Sequence, residues 1–139
     1  MPQTVFPYLL YEDCAMMLDW LTRAFGFEEK LRYSDESGTV THAEMDVGGG
    51  SIFMGDPGDD YRSPKSSGGW PAQVQVYVDD VDAHYERARA AGAEIRSELE
   101  DTPYGDRRYD VYDAEGQLWS FSTHVRDVPP EDWGATEPA

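Results

Sequence analysis

His42 and Glu44 stand two residues apart in the alternating segment 39–47, which puts an imidazole and a carboxylate on one face of a strand. Those are the residue types of a divalent-metal site, or of an acid–base pair that needs no metal. A second alternation sets Gln73, Gln75 and Tyr77 against Val74, Val76 and Val78, so two amides and a phenol share the polar side of another strand. Arg108, Asp110 and Tyr112 share one parity and Val111 takes the other. Ser120, Ser122 and His124 likewise alternate with Trp119 and Phe121. Cys14 is the only cysteine, so no internal disulfide or thiolate cluster can form, and without a nearby base it reads as a small packed residue. His84 falls on the apolar stripe of a helix and reads as a hydrogen-bonded core or boundary residue.

The elements that must position these groups are legible. Trp70–Ile95 is the best-formed unit: a strand, an acidic cap at Asp79 and Asp80, and a helix with Val81, His84, Tyr85, Ala88 and Ala91 on one side, ended by Gly92. The first half runs in the same order. A strand over 4–10 leads to Glu12 and Asp13, then to a helix over Cys14–Phe25 that buries Met17, Leu18, Leu21, Ala24 and Phe25, then to Gly26. Strands are predicted at 27–34, 39–47 and 51–54, and in the second half at 94–97, 107–112 and 117–124, the last two joined by the turn DAEG. Thirteen residues separate the second acid from the glycine in the first half and twelve in the second, so the chain reads as a tandem βαβββ duplication. The modules are 4–55 and 71–124 within one α+β domain, 1–124. Residues 56–70 are a linker or mobile loop, and 125–139 an extended acidic tail in which Trp133 is the one residue expected to dock.

Twenty-eight acidic against eleven basic residues give a formal charge of −17, which repels phosphate backbones and anionic membranes, so nucleic acid and membrane surfaces are excluded as partners. No apolar run approaches the length of a membrane span and the N-terminus lacks a signal segment, so a soluble cytoplasmic protein is expected.

The double βαβββ order, the strand-acid-helix-glycine units and the segments VYVDDVDAHYERARAAGAEI and PYGDRRYDVYDAEGQLWSF resemble the vicinal oxygen chelate superfamily of glyoxalases, bleomycin-resistance proteins and extradiol dioxygenases. The resemblance implies mixed sheets curled around a cavity, with a helix on the convex side of each. It sends Phe6, Tyr8, Leu10, His42 and Glu44 inward from the first module. From the second it sends Gln73, Gln75, Tyr77, Arg108, Asp110, Tyr112, Ser120 and His124. Trp70 and the acidic loop 56–60 fall at the mouth. The superfamily's metalloenzymes hold a divalent ion at positions that fall here on Phe6, Met54, Gln73 and Ser120, with a register slip at Met54 giving Ile52 or Asp56 instead. Only Gln73 of those four has a suitable donor. A cofactor-free receptacle for an aromatic, antibiotic-like molecule is therefore expected, in a homodimer that serves drug resistance. The alternative is a lyase or dioxygenase with Zn, Ni, Mn or Fe on His42, Glu44 and His124. Glu44 or Asp110 opposite Arg108 reads as an ion pair lining the wall.

Overall fold

A computed structural model describes residues 2–139. Two four-stranded mixed sheets carry the chain. The first comprises β1 (Tyr8–Leu10), β2 (Glu28–Ser34), β3 (Val40–Val47) and β4 (Gly50–Gly55) in the order β1-β4-β3-β2, with β1 parallel to β4. The second comprises β5 (Gln73–Tyr77), β6 (Glu94–Asp101), β7 (Asp106–Tyr112) and β8 (Leu118–His124) in the order β5-β8-β7-β6, with β5 parallel to β8. Helix α1 (Cys14–Phe25) serves the first sheet and α3 (Val81–Ala90) the second, while the short α2 (Pro64–Ser67) lies between the modules. The tandem α+β architecture is the one expected, and neither sheet closes on itself. No helix among the described residues is long and apolar enough to cross a membrane.

The helices form where the sequence places its caps. Asp13 accepts from the Met16 N–H and Asp80 from the Ala83 N–H, each satisfying a donor that the first turn leaves free. Met17, Leu18, Leu21, Ala24 and Phe25 are all buried on α1. Phe25 then bridges the halves, its ring lying 4.9 Å from Phe121 and 5.8 Å from Trp119, with Phe27 5.2 Å from Trp119. The helix-side faces of both sheets thus share one core, in which Leu9, Ala43, Met45 and Met54 meet Tyr109, Val111, Trp119 and Phe121. His84 sits at this junction, 3.0 Å from the Phe25 carbonyl oxygen and 2.6 Å from the Tyr109 hydroxyl. Arg87 donates to the Thr22 and Arg23 carbonyls at the end of α1.

A second clamp uses the DAEG turn. Glu115 accepts from the backbone N–H of Glu12 and Asp13, at 2.6 and 2.9 Å, so the second module holds the entry to α1. Asp113 accepts from Tyr11 and Trp119 through one oxygen and from the backbone N–H of Glu115 and Gln117 through the other. Gly116 has φ +88°, and a Cβ there would lie 2.7 Å from the Lys65 nitrogen, so the turn admits only glycine. Burial raises the pKa of Asp113 and of Glu115 in spite of these donors. Glu12 is lowered to about 2, chiefly by hydrogen bonds from Ser63 and Ser66.

Three expectations need correction. Segment 56–70 is not a free loop, because Ser63 and Ser66 donate to Glu12 and the Lys65 N–H donates to the Glu115 carbonyl. Strand β6 runs past Ser97 to Asp101, its exposed acids lying along a sheet edge where charge discourages pairing with another chain. The first strand spans only Tyr8–Leu10; the Pro7 carbonyl still accepts from the Phe53 N–H at 2.9 Å, but proline has no N–H to carry the ladder further back. In the tail Trp133 packs its ring 5.3 Å from Tyr104, in a 3-10 turn over Pro130–Trp133.

Asp113→Asn would turn an amide N–H₂ toward donors, leaving at least one of them buried without a partner. A loss of about 2–4 kcal/mol is expected, read as a lower urea midpoint at unchanged slope. His84 makes the pH prediction. Burial lowers its imidazole to about 4 from an ordinary 6.5, so the unfolded chain takes up a proton before the folded one does. Its contribution is complete above pH 6.5 and is lost as pH falls toward about 4. In urea titrations across that window, the stability advantage of the natural chain over His84→Gln should narrow by up to about 3 kcal/mol.

Candidate ligand-binding site

The faces turned away from the shared core hold the predicted site residues, and they form two separate groups. On the first sheet Tyr8 pairs with Phe53, and Phe53 with Glu44, so Tyr8, Phe53, His42 and Glu44 project from the same side. Phe6 stacks on Phe53 with centroids 4.3 Å apart and planes 10° apart, and Tyr8 meets Phe53 edge-on at 5.9 Å. Tyr33 and Leu31 stand opposite His42 and Glu44 on β2. Tyr8 is 49% and Tyr33 64% exposed, although both rings lie on a sheet face. This is an apolar, aromatic wall whose Tyr8 and Tyr33 rings stay open to solvent among the described residues.

One polar chain crosses that wall. Glu44 lies 2.9 Å from His42 Nε2, and His42 Nδ1 lies 2.8 Å from the Tyr8 hydroxyl. A carboxylate only accepts, so Nε2 carries a ring proton; in the tautomer with that proton alone, Nδ1 is bare and the Tyr8 O–H donates to it. In that tautomer the Tyr8 proton is spent on His42.

The second sheet offers a polar wall. Gln75, Ser120 and Asp110 lie side by side across β5, β8 and β7, as do Tyr77, Ser122 and Arg108. Gln75 donates to Ser122 at 2.7 Å, Tyr77 donates to Asp106 at 2.7 Å, and Arg108 reaches Glu100 at 3.4 Å. Asp110 and Ser120 are 4% and 0% exposed, yet among the described residues Asp110 Oδ1 and the Ser120 hydroxyl have no hydrogen-bond partner. Gln73 is exposed at the start of β5. Tyr112 and Trp70 line a pocket of about 330 Å³ between α2 and the DAEG turn, where Arg96 lies 5.6 Å over the Trp70 ring. Trp70 therefore sits beside the second wall, away from Phe6 and Tyr8.

Several sequence expectations change here. Met54 is buried in the core, so neither it nor Ile52 faces the site; Phe53 does, and was missed because the register of β4 was one residue off. Arg108 pairs with Glu100, and Glu44 with His42, so the expected Arg108 pairings with Glu44 and Asp110 do not form. His124 is on the other sheet from His42, with Asp106 at 2.9 Å and Asp127 at 2.6 Å, which raises its pKa. His42, Glu44 and His124 are thus not brought together, and among the described residues no group of three His, Cys, Asp or Glu side chains could hold an ion. With Phe6, Phe53, Gln73 and Ser120 projecting where the superfamily's metalloenzymes carry imidazole and carboxylate, the donor set does not fit a divalent cation. Cys14 is buried, and burial pushes its thiol up to about 12, which removes it as a nucleophile.

Residues 3–121 match the model of the Glyoxalase/Bleomycin resistance protein/Dioxygenase superfamily. The chain belongs to that superfamily. Among solved structures it is similar to TioX from Micromonospora sp. ML1, with 40% identity, a TM-score of 0.72, and coverage of 91% of this chain and 99% of that one. It shares its fold with a glyoxalase/bleomycin resistance protein/dioxygenase from Nocardioides at 20% identity and a TM-score of 0.67, over 94% and 88% of the two chains. An uncharacterized protein of Mycobacterium tuberculosis is 35% identical over 127 residues, covering 88% of this chain and 75% of its own.

The hydrogen-bond chain through His42 has a spectroscopic consequence. Proton–nitrogen correlation spectra should show a single Nε2–H tautomer, and Glu44→Ala should replace it with a mixture of both.

Proposed function

We propose that this member of the superfamily binds and sequesters a planar aromatic molecule without using a metal, on a site completed by a second copy of the chain. The carrying observation is the open ring wall: Phe6 stacked on Phe53, with Tyr8 and Tyr33 exposed around them. Exposed rings clustered on one face mark a surface meant to be covered. Stacking on those rings, with a few fixed polar atoms for direction, suits a flat heteroaromatic ligand.

The second copy follows from the placement of the walls. No hydrogen bond, ion pair or ring contact among the described residues joins Tyr8, His42, Glu44 and Phe53 to Gln75, Asp110 and Ser120. One chain therefore presents two half-sites facing away from its own core. A two-fold dimer would set the aromatic wall of each protomer against the polar wall of its partner, giving two equal sites. Sequestration of this kind would serve resistance to an aromatic antibiotic.

Two measurements test the reading. Gel filtration at micromolar concentration should give a dimer; a monomer that still binds ligand counts against the shared site. Fluorescence titration with acridone, a neutral planar tricycle, should give saturable binding that Phe53→Ala weakens by about 3–10-fold, the worth of one aromatic contact. Affinity indifferent to Phe53 would remove the ring wall from the function.

A further inference from the structure

We propose a second binding site in this chain: the pocket of about 330 Å³ between α2 and the DAEG turn takes a small aromatic monocarboxylate, stacked on Trp70 with its charge toward Lys65 and Arg96. The site is separate from the ring wall around Phe53 and needs neither that wall nor a second copy of the chain.

The pocket has fixed walls. The Lys65 N–H donates to the Glu115 carbonyl at 3.1 Å, and Ser63 and Ser66 tie the start of α2 to Glu12. Gly116, with no Cβ, lets the DAEG turn close on the Lys65 backbone. On the other side Gln117 donates to the Ala72 carbonyl, holding the chain just past Trp70 and Pro71. Pro71 itself disfavours helical backbone at Trp70. The walls therefore stand before a ligand arrives, which reduces the ordering that binding must impose.

The surface of the pocket is open and its chemistry is two-sided. Trp70 is 78% exposed, an indole the fold leaves uncovered, and Tyr112, Pro64 and Pro71 line the pocket with it. A flat ring fits such a surface by stacking. The charged side is cationic. Seven of the eleven basic side chains are matched, by acids or by backbone carbonyls. Lys65 and Arg96 are among the four that make no hydrogen bond or ion pair among the described residues, and both stand at this pocket, Arg96 lying 5.6 Å over the Trp70 ring. Exposed cations need no partner for stability; what marks these two is that they meet at one uncovered indole.

The carboxylates nearby set the ligand's charge. Asp113 lines the pocket, but its two oxygens are taken by four donors inside the fold. Glu94 is the remaining acid there, and it makes no hydrogen bond or ion pair among the described residues. Two free cations against one free carboxylate favour a monoanion. An organic cation would meet the reverse balance, and a dianion would bring a second charge against Glu94. A guanidinium stacked on an indole still presents its N–H edge, which is the geometry that receives a carboxylate, and the long stem of Lys65 lets its ammonium follow.

2-Naphthoate and 2-naphthamide have one shape with and without the charge, and calorimetric titration of the full chain at low salt compares them. 2-Naphthoate should bind saturably and at least about fivefold more tightly than 2-naphthamide, as expected for a charge-assisted contact open to water. Lys65→Gln and Arg96→Gln should each weaken 2-naphthoate by about 3–10-fold and leave 2-naphthamide within about twofold. Glu94→Gln should strengthen 2-naphthoate, because it removes the opposing charge. Trp70→Ala should weaken both ligands by about 3–10-fold. Phe53→Ala, which alters the other site, should leave 2-naphthoate binding in place.

Equal affinities for acid and amide would overturn the assignment, and so would weaker 2-naphthoate binding in Glu94→Gln. Loss of 2-naphthoate binding in Phe53→Ala but not in Trp70→Ala would move the ligand to the ring wall and remove this site. Acridone that fails to bind while 2-naphthoate binds as expected removes the ring wall and leaves this site standing. Should Trp70→Ala fail to fold, an unchanged 2-naphthoate affinity in Lys65→Gln and Arg96→Gln is the overturning result. No binding of 2-naphthoate at millimolar concentration removes the site outright.

Discussion

Asp113 and Glu115 lie buried in a four-residue turn, and the relation between the two modules depends on how their oxygens are used. Two ionised carboxylates that close would ordinarily repel each other and resist burial. Here the four oxygens receive six donors: Tyr11, Trp119 and two backbone N–H groups at Asp113, and the N–H groups of Glu12 and Asp13 at Glu115. Half of those six belong to the first module. The turn therefore fixes the start of α1 relative to β7 and β8. Glu12, displaced from capping its own helix, is left to hold Ser63 and Ser66 of the connecting segment. A motif that in sequence is only a hairpin signal acts as the joint between the halves.

That joint decides which sheet faces stay open. It works with Phe25, Phe27 and His84 to turn the helix-side faces of both sheets into one core, so the opposite faces point outward. The rings around Phe53 remain open, and a pocket of about 260 Å³ lies where Val47–Ile52 of the first sheet approach Val74–Tyr77 of the second. Covering the apolar area left on that face would remove several exposed aromatic side chains from water, which is the driving force the proposed dimer would use.

The order of elements, both helices, their caps and the core stripe of α1 were legible because each rests on local chemistry: an acid before an apolar 3.6-residue period, a glycine after it. Strand parity was equally readable for Leu9 against Tyr8, and for Trp119 against Ser120. It failed at Met54, because β4 enters from the turn Gly48–Gly50, where no side chain reports the register; the pairings of Phe53 with Tyr8 and with Glu44 fix it. The partner of Arg108 was misread for a related reason. Ending β6 at Ser97 hides Glu100, and the arginine takes that edge acid in place of Asp110. Which way the two modules face one another is invisible in either repeat alone, because it depends on contacts such as Glu115 to Glu12 that span the whole chain.

Duplication produced two modules of one shape, but their outward walls have diverged in chemistry, and the divergence limits how copies can combine. The first wall is ring-rich, its polar atoms tied into the line Glu44, His42, Tyr8. The second is amide, hydroxyl and carboxylate, with Asp110 and Ser120 unspent. Two aromatic walls face to face would bury rings but leave the polar walls of both copies uncovered. Pairing unlike walls instead gives each ligand a stacking side and a hydrogen-bonding side. Under two-fold symmetry it does so twice, with the same contacts made from each protomer. In the proposed dimer, the asymmetry between the repeats would be what gives each of two equivalent sites a direction.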